Sequence, residues 1–523
     1  MINLTLAAIA DIVGGTLADA TGAEEITGGV EFDSRAVNPG DLFLAIPGAR
    51  VDGHDFAETA MNNGAVGVLA ARPVGVPAVI VPPVEKSASD TVSYATEHDA
   101  DGSVAAVLAA QAKLARFVVD ELAGREGGLT VVGVTGSAGK TSTKDTIASV
   151  LRVKGPTVAP PGSFNNEIGH PYTALRCTAE TKFLVAEMSA RGIGHVAQLA
   201  EIAPPAIGVV LNVGSAHLGE FGSRENIAQA KGELVEAVPA AGIAILNGDD
   251  PFVAAMASRT QADVWLYSTT YRLVPTESAT ASDTAASSGS FYGQQPPRVW
   301  AEDIELDALT RPAFRLYAKT HDGDVVSAQV TLQLSGMHQV SNVLAAVAVG
   351  LAAGIDFADI VTAVAQHVPV SAHRMDVRQR GDGVVVIDDA YNANPESMRA
   401  GLAALAKTKQ HQGDGARAIA VLGPMAELGE EAIDEHHQLI GVVATSGIDQ
   451  LIIVGNDGYS EAMVSAADQL GLKVAAAANC DEATRIVLDE VQPSDVVLAK
   501  ASNVYQLWKV AEAVLANDGK QEN

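Results

Sequence analysis

Short runs of apolar residues alternate with longer segments of helical periodicity through the middle of the chain. The four clearest runs are rich in Val, Ile and Leu: LTVVGVT (129–135), TKFLVAEM (181–188), AIGVVLNV (206–213) and GIAILN (242–247). Continuous apolar runs of this length are typical of strands that are buried on both faces of a parallel sheet. The pattern therefore predicts an α/β domain with a parallel sheet between residue 129 and about residue 370.

Similar patterns predict a further unit on each side of this domain. The candidate elements are β-like runs at 41–46, 65–70 and 77–82, an Ala-rich helix at 103–123, and strands at 384–389, 418–423, 450–455 and 496–501. Two polar inserts, 85–102 and 272–300, interrupt the pattern and are interpreted as loops. We find no internal repeat and predict three domains with boundaries at 1–105, 106–370 and 371–523.

Composition narrows the partners and the cellular setting. The 523 residues include 34 Lys and Arg against 63 Asp and Glu, a formal charge of −29, which argues against nucleic acid or an anionic membrane as a partner. The two cysteines, Cys177 and Cys480, form no metal-type pair and fit a reducing compartment. The N-terminus lacks the basic region of a signal peptide, and no apolar stretch is long enough to span a bilayer. We therefore expect a cytoplasmic protein with no membrane insertion.

The stretch VVGVTGSAGKTST, residues 131–143, has the form of a phosphate-binding loop between a strand and a helix. Gly136 and Gly139 would let backbone N–H groups close on phosphate oxygens, with Lys140 on the phosphates and Thr141 available to Mg²⁺. The usual loop has four residues between its first glycine and the Gly-Lys pair, whereas this loop has only Ser137 and Ala138. The spacing indicates either an accidental match or a variant loop.

Two candidate metal ligands follow the next strands. Glu187 ends one apolar run and His217 lies just beyond another. Because ligands of open α/β sheets bind outside the carboxyl ends of the strands, we expect both side chains to lie along the edge that carries the loop. Lys231 falls in the amphipathic segment AQAKGELVEA, where periodicity alone favours a solvated lysine.

With these residues in place, the sequence resembles the Mur ligase family, ATP-dependent amide-forming enzymes of peptidoglycan precursor synthesis, over almost the whole chain. The family uses the short loop TG[ST]xGKT, which matches Thr135–Thr141. Its motif GxHNxxN matches residues 336–342, with Gln339 in place of the commoner Asn. Its Mg²⁺ ligands match Glu187 and His217, and its lysine carbamylated by CO₂ matches Lys231.

Two motifs resemble one class of the family, whose members add D-Ala-D-Ala to UDP-MurNAc-tripeptide. These motifs are IDDAYNANPESM at 387–398 and LGPMAELGE at 422–430, the latter followed by His436. The DNPR-type motif of the class that adds the third amino acid is not found. One departure is KASN at 500–503, where that class commonly has KGSR; Asn503 removes the charge and fixed donors of an arginine.

The resemblance implies the fold, the reaction and a set of site residues. The fold would comprise a small N-terminal α/β domain for the UDP substrate, a central P-loop ATPase-like domain with a parallel sheet, and a C-terminal Rossmann-like α/β domain that closes over ATP and binds the dipeptide. ATP would convert the tripeptide carboxylate into an acyl phosphate, which the dipeptide amine attacks, giving UDP-MurNAc-pentapeptide. The expected catalytic residues are Lys140, Glu187, His217 and Lys231. The expected ATP-binding residues are Thr135, Gly136, Ser137, Ala138, Gly139, Lys140, Thr141, Ser142, Asn342, Arg374 and Asp389. The expected substrate-binding residues are Ser34, Arg35, Asn165, Asn166, Tyr391, Asn392 and Asn394.

Two Mg²⁺ sites are implied, with Thr141 and Glu187 on the first and His217 and carbamylated Lys231 on the second. A monomer is expected. Two alternatives stay open at this point. One is another ligase of the same fold, such as the class that adds a single amino acid. The other is a nucleotide-dependent switch protein without ligase activity, which would have no use for His217 and Lys231.

Overall fold

The computed structural model describes residues 1–48, 51–83, 99, 101–214, 218–272, 291–426 and 428–517. His217, most of the insert 85–102 and residues 273–290 of the second insert therefore lie outside the described residues. Within the described part of the chain, no helix combines the length and the apolar character that crossing a bilayer requires.

The N-terminal domain is a small sheet flanked by two helices. Its strands are β1 (Leu4–Thr5), β2 (Thr16–Ala18), β3 (Glu25–Ile26), β4 (Val30–Glu31), β5 (Leu42–Leu44), β6 (Gly67–Ala70) and β7 (Ala78–Ile80), and its helices are α1 (Leu6–Val13) and α2 (Ala57–Asn62). Five strands form a sheet in the order β2-β7-β6-β5-β4, parallel except for β2, and β1 pairs with β3. The three strands predicted here are confirmed as β5, β6 and β7.

The central domain is built on a nine-stranded sheet. Its strands are β8 (Thr130–Thr135), β9 (Thr157–Val158), β10 (Phe183–Glu187), β11 (Ile207–Val210), β12 (Ile243–Asn247), β13 (Asp263–Ser268), β14 (Val299–Leu306), β15 (Pro312–Lys319) and β16 (Val325–Thr331). Its helices are α3 (Ser103–Ala123), α4 (Lys140–Leu151), α5 (Gly169–Ala174), α6 (His195–Ile202), α7 (Leu218–Phe221), α8 (Arg224–Ala237), α9 (Pro251–Ala255), α10 (His338–Ala352) and α11 (Phe357–Gln366). The strand order is β16-β15-β14-β13-β12-β11-β8-β10-β9.

The predicted parallel sheet is confirmed from β9 to β14, but the sheet continues as an antiparallel meander through β15 and β16. These edge strands were not predicted, because they are buried on one face only. In β15, for example, the burial alternates along the strand, so the apolar residues do not form a continuous run. The meander extends the sheet at the end far from the phosphate loop, which follows β8, the third strand from the opposite edge.

The C-terminal domain is a six-stranded sheet covered by helices on both faces. Its strands are β17 (Asp376–Gln379), β18 (Val385–Asp388), β19 (Ala418–Leu422), β20 (Gln450–Val454), β21 (Val474–Ala477) and β22 (Val496–Lys500), and its helices are α12 (Pro395–Gln412), α13 (Ala432–Thr445), α14 (Gly458–Gln469), α15 (Cys480–Glu490) and α16 (Trp508–Ala516). The order is β17-β18-β22-β19-β20-β21, with only β17 antiparallel. The four predicted strands are confirmed, and β17 and β21 are additional.

The N-terminal and central domains share a hydrophobic cluster, whereas the buried clusters of the C-terminal domain are its own. One continuous cluster runs from Met1 in the N-terminal domain through α3 to Leu266 in the central domain. At the same junction, three aromatic rings form a cluster. The centroid of Phe32 lies 6.4 Å from that of Phe164 and 5.1 Å from that of Tyr172, and the last two are 5.5 Å apart. The C-terminal domain has two clusters of its own, one on each face of its sheet.

The C-terminal domain meets the central domain at a close backbone contact beyond the sheet edge. A Cβ added at Gly219 in α7 would lie 2.3 Å from the Cα of Gly429, and a Cβ added at Gly429 would lie 2.4 Å from the Cα of Gly219. Only two glycines permit the backbones of the two domains to approach this closely. The contact places the C-terminal domain over the loop that follows β8.

Candidate active site

The loop between β8 and α4 has the conformation that a phosphate site requires. Its last glycine, Gly139, has φ +82°, a left-handed conformation that favours glycine, and a Cβ at that position would lie 2.8 Å from Oδ1 of Asn342. Lys140 begins α4 and its Nζ donates to the carbonyl of Gly136 at 2.8 Å. The cation thus sits over the mouth of the loop, where anionic oxygens would be bound.

A side chain that the sequence did not single out holds this loop in place. Asn212, two residues after β11, accepts from Ala138 N at 2.9 Å and donates to Ala138 O at 3.0 Å. Gly214 N donates to Ser137 Oγ at 2.9 Å on the same side. The loop is therefore fixed from the neighbouring strand before any ligand binds. The only sequence signal was a polar residue directly after a buried strand.

Thr141 and Glu187, which the sequence predicts as ligands of one metal ion, lie side by side. Thr141 Oγ1 donates to Glu187 Oε1 at 3.3 Å, and Asn165 Nδ2 donates to the same oxygen at 2.7 Å. Glu187 is only 1% exposed, and its Oε2 is buried without a hydrogen-bond partner among the described residues. A buried carboxylate oxygen without a partner, next to a hydroxyl group, fits a hard divalent cation such as Mg²⁺.

Lys231 lies in α8 and is buried, in contrast to the solvated side chain that periodicity favoured. It is 2% exposed, and no hydrogen bond or ion pair joins its Nζ to another described residue. Burial, with a smaller effect from the charge of Lys140, lowers the pKa of Lys231 well below its usual value. Burial therefore favours the neutral form of the amine.

The C-terminal domain supplies a second set of polar groups to the same space. The guanidinium carbon of Arg374 lies 4.1 Å from the ring centroid of Tyr391, and Nη2 donates to Ser163 Oγ in the central domain at 2.7 Å. Lys500 is buried and binds Asp389 Oδ2 at 2.5 Å and the carbonyl of Asn392 at 3.0 Å. Neither Ser163 nor Lys500 was predicted to be part of the site. The hydrogen bonds of Ser163 with Arg374 and of Lys500 with Asp389 and Asn392 join residues more than a hundred positions apart, so no local motif reports them.

The turn that follows β18 also has a structural role. Asn394 caps α12 by accepting from Ser397 N at 2.9 Å, as expected for good turn chemistry. Asn503 stands where the class that this sequence resembles commonly has an arginine, and it is exposed in a turn at Asn503–Tyr505. Asn503 lines neither of the two cavities between the central and C-terminal domains.

Two adjoining cavities separate the central and C-terminal domains. The first has a volume of about 250 Å³ and is lined on one side by the phosphate loop and Glu187 and on the other by the C-terminal residues. The second has a volume of about 630 Å³ and extends past Gly139 toward α10. Of the predicted site residues, the two cavities bring together Ser137, Ala138, Gly139, Lys140, Thr141, Ser142, Asn165, Asn166, Glu187, Asn342, Arg374, Asp389, Tyr391, Asn392 and Asn394.

The remaining predicted residues lie elsewhere. Thr135 is buried beneath the loop and donates to the carbonyl of Met188 at 2.8 Å. Ser34 and Arg35 follow β4 in the N-terminal domain and line neither cavity; the Arg35 side chain is 87% exposed and pairs with Asp33. Arg191, which was not predicted, lines the smaller cavity.

A largely parallel sheet has a phosphate loop at the carboxyl end of an inner strand, and a second α/β domain that contributes charged groups covers this loop. This arrangement defines a nucleotide-dependent enzyme whose site is completed by domain contact. Three family models match successive parts of the chain. They are Mur ligase family, catalytic domain (residues 27–116), Mur ligase middle domain (134–350) and Mur ligase, glutamate ligase domain (373–503). The chain belongs to the Mur ligase family and is an ATP-dependent peptide ligase.

Similar proteins cover the whole length of the chain. The UDP-N-acetylmuramoyl-tripeptide–D-alanyl-D-alanine ligase of Mycobacterium tuberculosis is 50% identical over 539 aligned positions, which cover 99% of each chain. The crystal structure of MurF from Acinetobacter baumannii matches with a TM-score of 0.77 at 27% identity, covering 98% of this chain and 99% of that one. MurF from Thermotoga maritima in complex with ADP matches with a TM-score of 0.70 at 27% identity, covering 95% and 99%.

Proposed function

We propose that this enzyme joins D-Ala-D-Ala to UDP-MurNAc-tripeptide in the cytoplasm, with conversion of ATP to ADP and phosphate. The observation that carries the proposal is the smaller cavity, where the phosphate loop and Glu187 face polar groups of the C-terminal domain. Such a cleft can hold an activated carboxylate between a nucleotide and an amine. The 50% identity to relatives that carry the name of this reaction supports the choice of substrates.

The reaction proceeds in two steps. A carboxylate oxygen of the tripeptide attacks the γ-phosphorus of ATP, the bond to ADP breaks, and an acyl phosphate forms. The dipeptide amine then attacks the acyl carbon, loses its proton, and expels phosphate from the tetrahedral intermediate. Lys140 and Arg374 oppose the negative charge that gathers on the phosphates and the acyl oxygens. Closure of the C-terminal domain keeps water from the acyl phosphate.

We propose two Mg²⁺ sites, the first formed by described residues and the second including His217, which lies outside them. Thr141 and Glu187 would hold one ion, and His217 and a carbamate on Lys231 would hold the other. Bound there, the two ions would supply charge neutralisation for the phosphates and the acyl oxygen. The buried, unpartnered Oε2 of Glu187 supports the first assignment.

The state of the Lys231 amine supports the carbamate. Only a neutral amine adds to CO₂; the new N–C bond forms as nitrogen loses a proton, and the product is an anion. Burial lowers the pKa of Lys231 and so favours this neutral form. An unmodified ammonium at that position would repel a cation, whereas the carbamate attracts one.

The other predicted residues take the remaining roles. Ser34 and Arg35 would contact the UDP moiety, Asn165 and Asn166 the tripeptide end, and Tyr391, Asn392 and Asn394 the dipeptide. Asn342 and Asp389, which line the larger cavity, would contact the nucleoside. The domains at 1–105, 106–370 and 371–523 then bind the UDP substrate, ATP and the dipeptide, respectively, in a monomer.

The test is phosphate release with ATP, Mg²⁺ and UDP-MurNAc-tripeptide, with D-Ala-D-Ala compared against single amino acids. We expect release only with the dipeptide, together with a pentapeptide product identified by its mass. Release with a single amino acid on the UDP-dipeptide substrate would assign the enzyme to the class that adds the third residue. ATP binding without release for any amine would contradict the ligase proposal.

A further inference from the structure

The linker that leads from α11 into the C-terminal domain is attached to the central domain at two points. Ser371 Oγ donates to Asp145 Oδ2 on α4 at 2.6 Å. Arg374 Nη2 donates to Ser163 Oγ at 2.7 Å. The first bond fixes the linker backbone to the helix that carries the phosphate loop, and the second fixes the end of the arginine side chain.

Two other residues of the same linker, His373 and Met375, are attached to the C-terminal domain instead. His373 bonds through Nδ1 to Asp388 Oδ2 at 2.7 Å, and its ring stacks on Trp508 at 5.2 Å. Met375 is buried in the core of that domain. Both residues have a left-handed backbone, with φ of +60° and +50°, a conformation that persists only where the surroundings enforce it. The backbone on each side of Arg374 is therefore held firmly.

The side chain of Arg374 is held less firmly than its backbone. Among the described residues, Ser163 Oγ is the one hydrogen-bond acceptor of the guanidinium, which otherwise stacks on Tyr391. Nε of Arg374 is buried without a hydrogen-bond partner in the described part of the chain. Because Arg374 lines both cavities, its remaining donors are available to an anion bound there.

Ser163 also connects this arginine to the metal-side residues. Its Oγ lies 2.8 Å from Oγ1 of Thr141, whose hydrogen is directed to Glu187 Oε1. Since Thr141 has a single hydroxyl hydrogen, Ser163 must donate to Thr141 and accept from Arg374. The donors therefore run in one order, from Arg374 to Ser163, then Thr141, then Glu187.

We propose that Ser163 is a positioning residue that aligns Arg374 of the closing C-terminal domain with Thr141 and Glu187 of the phosphate loop. In this role it acts on the nucleotide through the orientation of the arginine. This inference rests on the proposed function for the identity of the anion, which is a nucleoside di- or triphosphate. In this role the uncharged side chain of Ser163 acts by hydrogen bonding alone.

The test compares ADP binding by titration calorimetry and steady-state ligation in Ser163→Ala, Ser163→Thr, Arg374→Gln and the double variant Ser163→Ala/Arg374→Gln. Loss of a hydrogen bond to a charged group predicts that Ser163→Ala raises the dissociation constant of ADP and the KM of ATP by about 10-fold. The KM of the UDP-tripeptide should stay unchanged. Ser163→Thr keeps the hydroxyl and should restore ADP binding to within about threefold of the parent. In the Arg374→Gln background, Ser163→Ala should have no further effect.

Ser446→Ala is the matched control, because it also removes one serine hydroxyl, which donates to Val442 O at 2.7 Å away from the cavities. If Ser163→Ala fails to fold, Ser163→Cys replaces it, since a thiol keeps the volume and hydrogen-bonds weakly. An equal loss of ADP affinity with and without Arg374 would overturn the inference, as would parental affinity in Ser163→Ala. A parent that binds ADP but does not ligate would count against the proposed function alone.

Discussion

The contact between Gly219 and Gly429 provides a direct test of whether domain closure is required for ligation. Gly219→Ala would place a Cβ 2.3 Å from the Cα of Gly429 and 2.5 Å from its nitrogen. Carbon atoms pack at about 3.5–4.0 Å, so the two domains must separate by about 1–2 Å to admit the methyl group. No flexible side chain is present to give way, because both partners at the contact are backbone.

A displacement of about 1 Å in the position of a reacting group costs up to about 100-fold in rate. We therefore expect Gly219→Ala to lower kcat by one to two orders of magnitude. The central domain itself should not be weakened, because alanine within a helix is more favourable than glycine by about 1 kcal/mol. The melting temperature should thus stay the same or rise slightly while kcat falls.

The assay is phosphate release with saturating substrates, together with small-angle scattering of the nucleotide- and substrate-bound enzyme to measure its radius of gyration. Gly441→Ala in α13 is the control, because a Cβ there meets no atom within 4 Å. It should gain the same helical stability and keep the parental kcat. Parental kcat and an unchanged bound-state radius in Gly219→Ala would refute the reasoning.

Three further perturbations have defined outcomes. Lys231→Ala should abolish ligation while leaving the fold intact, and small carboxylic acids should partly restore phosphate release; full activity of this variant would contradict the carbamate. Asn212→Ala removes both hydrogen bonds to Ala138 and should weaken ADP binding by about 10-fold in calorimetry, with no change in UDP-tripeptide binding. Burial lowers the pKa of His170 to about 4, so the unfolded chain binds more protons between pH 6.5 and pH 4. The contribution of His170 to the free energy of unfolding should therefore be complete above pH 6.5 and fall by up to about 3 kcal/mol as the pH drops to 4. His170→Gln should flatten this dependence in denaturant titrations at several pH values.

The sequence predicted the elements whose signal is local. Strands buried on both faces, such as β8 and β12, appear as continuous apolar runs, whereas the half-exposed strand β15 has no such run and was missed. The phosphate loop and Glu187 were predictable, because a strand end followed by glycines or by a carboxylate is visible within a few residues.

The rest of the site depends on contacts that no local pattern encodes. Ser163 is joined to Arg374 of the other domain, and Lys500 to Asp389, over long stretches of sequence. The burial of Lys231 is a similar case. The periodicity of α8 favoured a solvated side chain, whereas the structure buries it, so the carbamate proposed for Lys231 rests on the family resemblance and not on periodicity.

The unequal sharing of hydrophobic cores determines how the molecule should come apart on heating. Because one cluster runs without a break from Met1 to Leu266, unfolding of either of the first two domains would open a core that it shares with the other. The C-terminal domain encloses its own two clusters, and hydrogen bonds such as those of Ser371 and Arg374 join it to the central domain. A calorimetric scan should therefore show two cooperative transitions rather than three. A nucleotide bound between the domains should draw these two transitions together, because it binds only where both units are folded.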